Sequence, residues 1–154
     1  MARPEAKSES VLPRAKRGFS AMKTYFVVTG IVRNGDGRIL LLRKSMNDRI
    51  YPGKWSFCSG YVKEFEAAED TVLREIEEET GLKGAIERKG NLVEVIDGEK
   101  QRHWIVACYL CTVPSDEVRL CHENTEFRWV LPEDIAQFDL VPGLEKDLKA
   151  LGVA

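Results

Sequence analysis

Over residues 24–32 apolar side chains occupy both alternating sets of positions, the pattern of a strand covered on both faces. Asn34-Gly35-Asp36-Gly37 then supplies the residues of a tight turn, and residues 38–43 return as a second strand. Tyr51-Pro52-Gly53 marks a loop, and Trp55-Ser56-Phe57 a short extended piece that ends at Ser59-Gly60. Residues 66–80 contain neither Gly nor Pro and predict a helix, stopped by Gly81. Two β-rich segments follow, 92–96 and 104–113, separated by the Asp97-Gly98 turn. Residues 127–131 read as another strand, Pro132 opens a short helix, and residues 144–151 form a last one. There is no internal repeat and no low-complexity tract, so the pattern predicts a mixed α+β domain.

Composition narrows this picture. The chain has 154 residues, 44% hydrophobic and 31% charged, enough for one core and cramped for two. No apolar run approaches the roughly 18–20 residues that cross a bilayer. The net charge of −2 argues against a general nucleic-acid binder. Four cysteines are too few for a disulfide scaffold, and no apolar leader core precedes them. The expectation is a cytoplasmic protein with no membrane and no nucleic-acid partner. Residues 1–22 are basic, carry Pro4 and Pro13 and lack hydrophobic periodicity; they read as a flexible arm ahead of a domain over 23–154.

The predicted long helix carries the chemistry. Arg74-Glu75-Ile76-Glu77-Glu78-Glu79 places four carboxylates within five residues, which an isolated helix does not favour. Ala68, Val72, Leu73 and Ile76 form its apolar stripe. Glu75, Glu78 and Glu79 fall on an arc of about 100° beside that stripe. Converging carboxylates repel one another unless a cation neutralises them, and hard oxygen ligands select Mg²⁺ or Mn²⁺. The bland alternative is a solvated acidic face.

The surroundings favour the cation. From Gly60 the chain runs Gly, five residues, Glu66, seven residues, Arg74-Glu75-Ile76, one residue, Glu78-Glu79, one residue, Gly81-Leu82. This resembles the 23-residue box of the Nudix hydrolases at every specified position. The resemblance extends over residues 23–151, through the strand 37–43, Gly53-Lys54-Trp55, and Phe127-Arg128-Trp129-Val130 with Pro132. It implies an α/β/α sandwich around a mixed sheet, with the box as loop, helix and loop. It also implies Mg²⁺- or Mn²⁺-dependent hydrolysis of a nucleoside diphosphate linked to another group. By match of positions, Glu75, Glu78 and Glu79 bind metal with the main-chain carbonyl of Ser59. Gly60, Glu66, Arg74 and Gly81 brace the motif.

Two departures stand out: Cys58-Ser59-Gly60 replaces the family's usual Pro-Gly-Gly, and Phe65 stands where a glycine is common. A lost glycine can strain a positive-φ turn. The departures leave a second reading open, a nucleotide-binding or sensing module of the same fold that hydrolyses nothing. For hydrolysis a carboxylate must take the proton of the attacking water. Glu75 and Glu79 are candidates on the helix. By family resemblance Glu123, six residues before Trp129, is a further catalytic acid, with Glu126 the runner-up. Arg43, Lys44 and Arg49 are candidate phosphate contacts, and Trp55, Trp104 and Trp129 candidate stacking partners. Cys58 as a nucleophile is disfavoured, since no histidine is near it in sequence. Cys108 and Cys111 as zinc ligands fare no better, because a spacing of three puts them on opposite faces of a strand. The marks of the ADP-ribose, diadenosine polyphosphate and coenzyme A subgroups are absent or partial around Ser45, Asp97 and Glu99. A nucleoside triphosphate, ADP-ribose or a nucleotide sugar therefore remain candidate substrates, and self-association into a homodimer stays open.

Overall fold

The computed structural model describes residues 22–153, so the basic arm assigned to residues 1–22 lies outside the described residues save for Met22. Eight strands form one mixed sheet: β1 (Lys23–Arg33), β2 (Ile39–Lys44), β3 (Trp55–Ser56), β4 (Cys58–Tyr61), β5 (Ala85–Lys89), β6 (Val93–Asp97), β7 (Arg102–Thr112) and β8 (Asn124–Val130). The main path runs β3-β2-β1-β7-β5, with β4 on β1, β6 on β7 and β8 on β2. β1 and β7 pair in parallel over eleven residues, from Lys23 with Arg102 to Arg33 with Thr112; every other pairing between these eight strands is antiparallel.

Both faces of the central strands are buried, as the double apolar pattern predicts. Ile31, Ile39, Leu41, Val106, Cys108 and Leu110 point into one core layer. It is closed by a 3-10 helix (Pro132–Gln137) and a short helix α2 (Leu144–Ala150). Val28, Val32, Leu40, Leu42 and Cys111 point into the other, against α1 (Ala68–Thr80). The result is helix, sheet and helix. Cys108 and Cys111 indeed sit on opposite faces, which removes the zinc reading, and burial pushes the Cys111 thiol up to about 12.

α1 packs closely on the sheet because β1 carries Gly30. A Cβ there would stand 2.9 Å from Val72 Cγ2 and 3.1 Å from Ile76 Cδ1. The helix begins at Ala68 rather than at Glu66, and ends at Gly81 with φ 76°, whose N–H donates to the Glu77 carbonyl. β5, largely exposed, bulged and rich in charge, is absent from the strands the hydrophobic pattern predicts. β8 begins three residues earlier than expected and so takes in Glu126. No helix among the described residues is long and apolar enough to cross a membrane.

Candidate active site

Ahead of α1 the chain turns at Lys63–Glu66, where the Glu66 N–H donates to the Lys63 carbonyl. Glu66 then faces back along the helix. Arg74 donates to it twice, Nε to Oε2 at 2.8 Å and Nη2 to Oε1 at 2.9 Å, and the Thr71 hydroxyl donates at 2.9 Å. This two-pronged, charge-assisted contact is the geometry guanidinium suits best. It holds the Glu66 carboxyl down at about 2, the Arg74 hydrogen bond being the largest cause. Arg74 Nη1 also donates to Glu75 and Glu78, at 3.1 and 3.2 Å.

Glu75 and Glu79, four residues apart, share one helix face and both line a cleft of about 900 Å³. Glu79 is 7% exposed. Burial, then the charge of Glu75, pushes its carboxyl well above the usual carboxylate range; Glu123 adds to this and Lys44 opposes it. Gly60 lets this happen: a Cβ on it would stand 2.3 Å from the Glu75 carboxylate. Ser59 and Gly60 line the same cleft from β4. Glu123 closes it from the segment before β8. Its carbonyl accepts from the Ser45 N–H, and the neighbouring Asn124 pairs with Lys44, so this segment is pinned to the end of β2.

Glu78 differs from the expectation. It lies about 60° around the helix from Glu75, on the side of Arg74. There it accepts from Arg74, and it is not among the residues lining the cleft. Accordingly no set of three His, Cys, Asp or Glu side chains among the described residues forms a metal-holding cluster. What converges is a carboxylate pair and a stretch of backbone.

The remaining candidates divide in the same way. Lys44 and Arg49 line the cleft, but Arg43 turns away: Nε donates to the Gly53 carbonyl and Nη1 to Glu126 at 2.9 Å. Glu126 is thereby occupied, paired also with Arg128 at 3.1 Å. Trp104 lines the cleft; Trp55 is buried against Phe138, and the Trp129 ring nitrogen donates to the Asp116 carbonyl. Cys58 is buried beside Glu79, and burial, then the charge of Glu79, push its thiol well up, which disfavours the thiolate a nucleophile needs. Phe65 does take a positive φ, 64°, and its ring stands fully in solvent, away from the cleft.

Sequence reasoning missed Tyr51 and Asp147. Tyr51 packs its ring 5.9 Å from Trp104 and donates to Asp97 at 2.7 Å, forming one wall of the cleft. Asp147 lines it from α2. Its signal is an acid on the apolar stripe of a helix that reads Leu144, Asp147, Leu148, Leu151.

A mixed sheet between helices, with a glutamate pair presented to a cleft from a loop–helix–loop, defines an α+β hydrolase of the kind the box suggests. The chain belongs to the Nudix family: the NUDIX domain model matches residues 24–151. It is a hydrolase acting on phosphorus anhydrides. Among curated relatives it is similar to the nucleoside triphosphatase NudI of Escherichia fergusonii, 29% identical over 141 residues, covering 86% of this chain and 99% of that one. Among solved structures it is similar to the MutT protein of Methanosarcina mazei, at 30% identity and a TM-score of 0.71, covering 80% of this chain and 88% of that one. The NUDIX domain of Shewanella oneidensis NrtR, solved with ADP ribose, shares the fold at a TM-score of 0.71 and 18% identity, over 87% of this chain and 88% of that one.

Proposed function

We propose that the cleft hydrolyses the phosphoanhydride of a nucleoside triphosphate, with Mg²⁺ or Mn²⁺ held by Glu75 and Glu79. The observation that carries this is the buried Glu79 carboxylate, beside Glu75 and lining the same cleft as Lys44. Two carboxylates with a nearby main-chain carbonyl, that of Ser59, fit such an ion, because Mg²⁺ is usually held by one or two protein carboxylates and completed by waters and substrate phosphates. When bound, the ion neutralises phosphate charge and lowers the pKa of a coordinated water.

The chain's own residues do the rest. Lys44 and Arg49 meet the phosphates. Glu123, exposed to the cleft and held by its backbone, accepts the proton of the attacking water. Glu66 and Arg74 fix the helix so that Glu75 and Glu79 keep their spacing, and Glu78 holds Arg74 from its far side; all three are positioning residues. The triphosphate class is supported by the NudI relatives, whose name is nucleoside triphosphatase. The enzyme acts on a small nucleotide in the cytoplasm, without nucleic acid or membrane.

A panel of nucleoside triphosphates, ADP-ribose and nucleotide sugars, assayed for phosphate and pyrophosphate, tests this reading. Triphosphates should be cleaved with Mg²⁺ or Mn²⁺, and a chelator should abolish turnover. Tight nucleotide binding with no product over hours in either metal would replace hydrolysis by the sensing role.

A further inference from the structure

In α2 and the Leu151 that caps it, Leu144, Asp147, Leu148 and Leu151 share one face by helical spacing. The three leucines are 1%, 3% and 4% exposed, and Asp147 among them is 7%. A carboxylate is almost never this buried without a partner. Among the described residues its side chain makes one hydrogen bond, accepted by Oδ1 from the Cys108 thiol at 3.5 Å, and forms no ion pair. A thiol is a weak donor. Among the described residues none donates to Oδ2, and the side chain lines the cleft.

Its place relative to the glutamates follows from the sheet. Thr29 of β1 pairs with Ser59 on one side and with Cys108 on the other. Cys108, which the Asp147 carboxylate meets, therefore lies two strands from Ser59, a lateral spacing of about 10 Å across the sheet. That is the separation between the phosphates of a nucleotide and its base. The cleft between is apolar and aromatic, with Val95, Trp104, Val106 and Val141 among its lining residues. Such walls suit the faces of a base, and one convergent polar group sets its orientation.

We propose that Asp147 is a specificity-determining residue that accepts a hydrogen bond from the exocyclic amino group of a nucleobase. The proposal rests on the reading of the cleft as a nucleotide hydrolase site. With no cation paired to it among the described residues, the buried Asp147 carboxylate is open to an N–H donor, and an amino group supplies one. A keto oxygen at the same position presents an acceptor to an acceptor and is rejected. Burial also pushes the Asp147 carboxyl up to about 7, so the test is run at pH 8, where it is ionised before ligand binds.

Two isosteric pairs isolate this contact: CTP against UTP, and ATP against ITP, which differ by amino for keto at one ring position. With full-length protein and Mg²⁺, kcat/KM should favour the amino member of at least one pair by about tenfold or more, the scale of a hydrogen bond to a charged group. Calorimetry of the matching monophosphates should show the same order in Kd, independently of turnover. Asp147→Asn, whose amide offers donor and acceptor alike, should bring both ratios towards unity while the enzyme still turns over. A wild-type ratio near one or reversed in both pairs, or persistence in Asp147→Asn of the discrimination wild type shows, overturns the proposal. Hydrolysis without discrimination defeats this inference alone. If no nucleotide is bound or cleaved, the hydrolase reading falls with it.

Discussion

Phe65 is strained and solvent-exposed, and it adjoins Glu66, the residue on which Arg74 closes. At φ 64° a side chain crowds its own backbone, at roughly 1–2 kcal/mol for a residue with a Cβ. Its ring is fully exposed, so replacing it forfeits no packing. Phe65→Gly should raise stability by up to about 1 kcal/mol, the relief of strain being partly offset by the freedom glycine gains when unfolded. Thermal denaturation checks this, and turnover should stay within a few-fold of wild type. At this scale the sequence was informative where a rule is local: the replaced glycine announced the positive φ. It was silent where the rule is spatial. Glu126 and Arg43 read as cleft residues from their positions along the chain, yet each takes the other as partner across the β2–β8 ladder. The acid at 147 is visible as a break in an apolar stripe, but only the fold turns that break towards a cleft.

Helix α1 owes its position to two features that act at the scale of the element. Gly30 sets its height above the sheet, and the Glu66–Arg74 fork sets its entry. The fork carries a pH dependence. Glu66 ionises at about 2 in the fold and near the ordinary glutamate value when unfolded. Above that ordinary value the depressed carboxyl stabilises the fold in full; as pH falls from about 4.5 to about 2 the unfolded chain takes up the proton first, and the contribution is lost. Wild-type stability should therefore fall across this window more steeply than that of Glu66→Gln, which should be less stable near neutrality and flatter in acid. Denaturant titrations at several pH values measure the difference. Helix and central strands were legible because their periodicities are strong, one side chain in four or on every face. The edge strand β5 was not, because Ala85-Ile86-Glu87-Arg88-Lys89 is largely exposed, bulged and has little apolar surface to pattern.

In the whole molecule, α1, β4, the end of β2 and the segment before β8 meet at one cleft, and this convergence distinguishes acids that look alike in sequence. Glu123 lines the cleft; Glu126, three residues on, is held by Arg43 and Arg128. Glu123→Gln should lower kcat by tenfold or more, in the range usual for general-base loss, with the melting temperature little changed. Glu126→Gln should do the converse, leaving kcat near wild type and lowering the melting temperature slightly through its broken pairs. The segment bearing Glu123 is tied to β2 by main-chain hydrogen bonds rather than free to swing, so the effect should fall on kcat more than on KM. The acidic box was legible as a motif, but its division into a cleft-facing pair and an outward Glu78 depended on where Arg74 points.

The central claim is that the Glu75–Glu79 pair holds the ion on which hydrolysis depends, and turnover of Glu79→Gln at saturating Mg²⁺ tests it most directly. The substitution replaces a buried carboxyl whose ionisation burial and Glu75 both oppose, so the metal-free protein should melt no lower than wild type. Its kcat on the triphosphate that wild type cleaves best should nonetheless fall by about two orders of magnitude or more, because ion binding and water activation are weakened together. Turnover close to wild type in a folded Glu79→Gln protein would contradict the account.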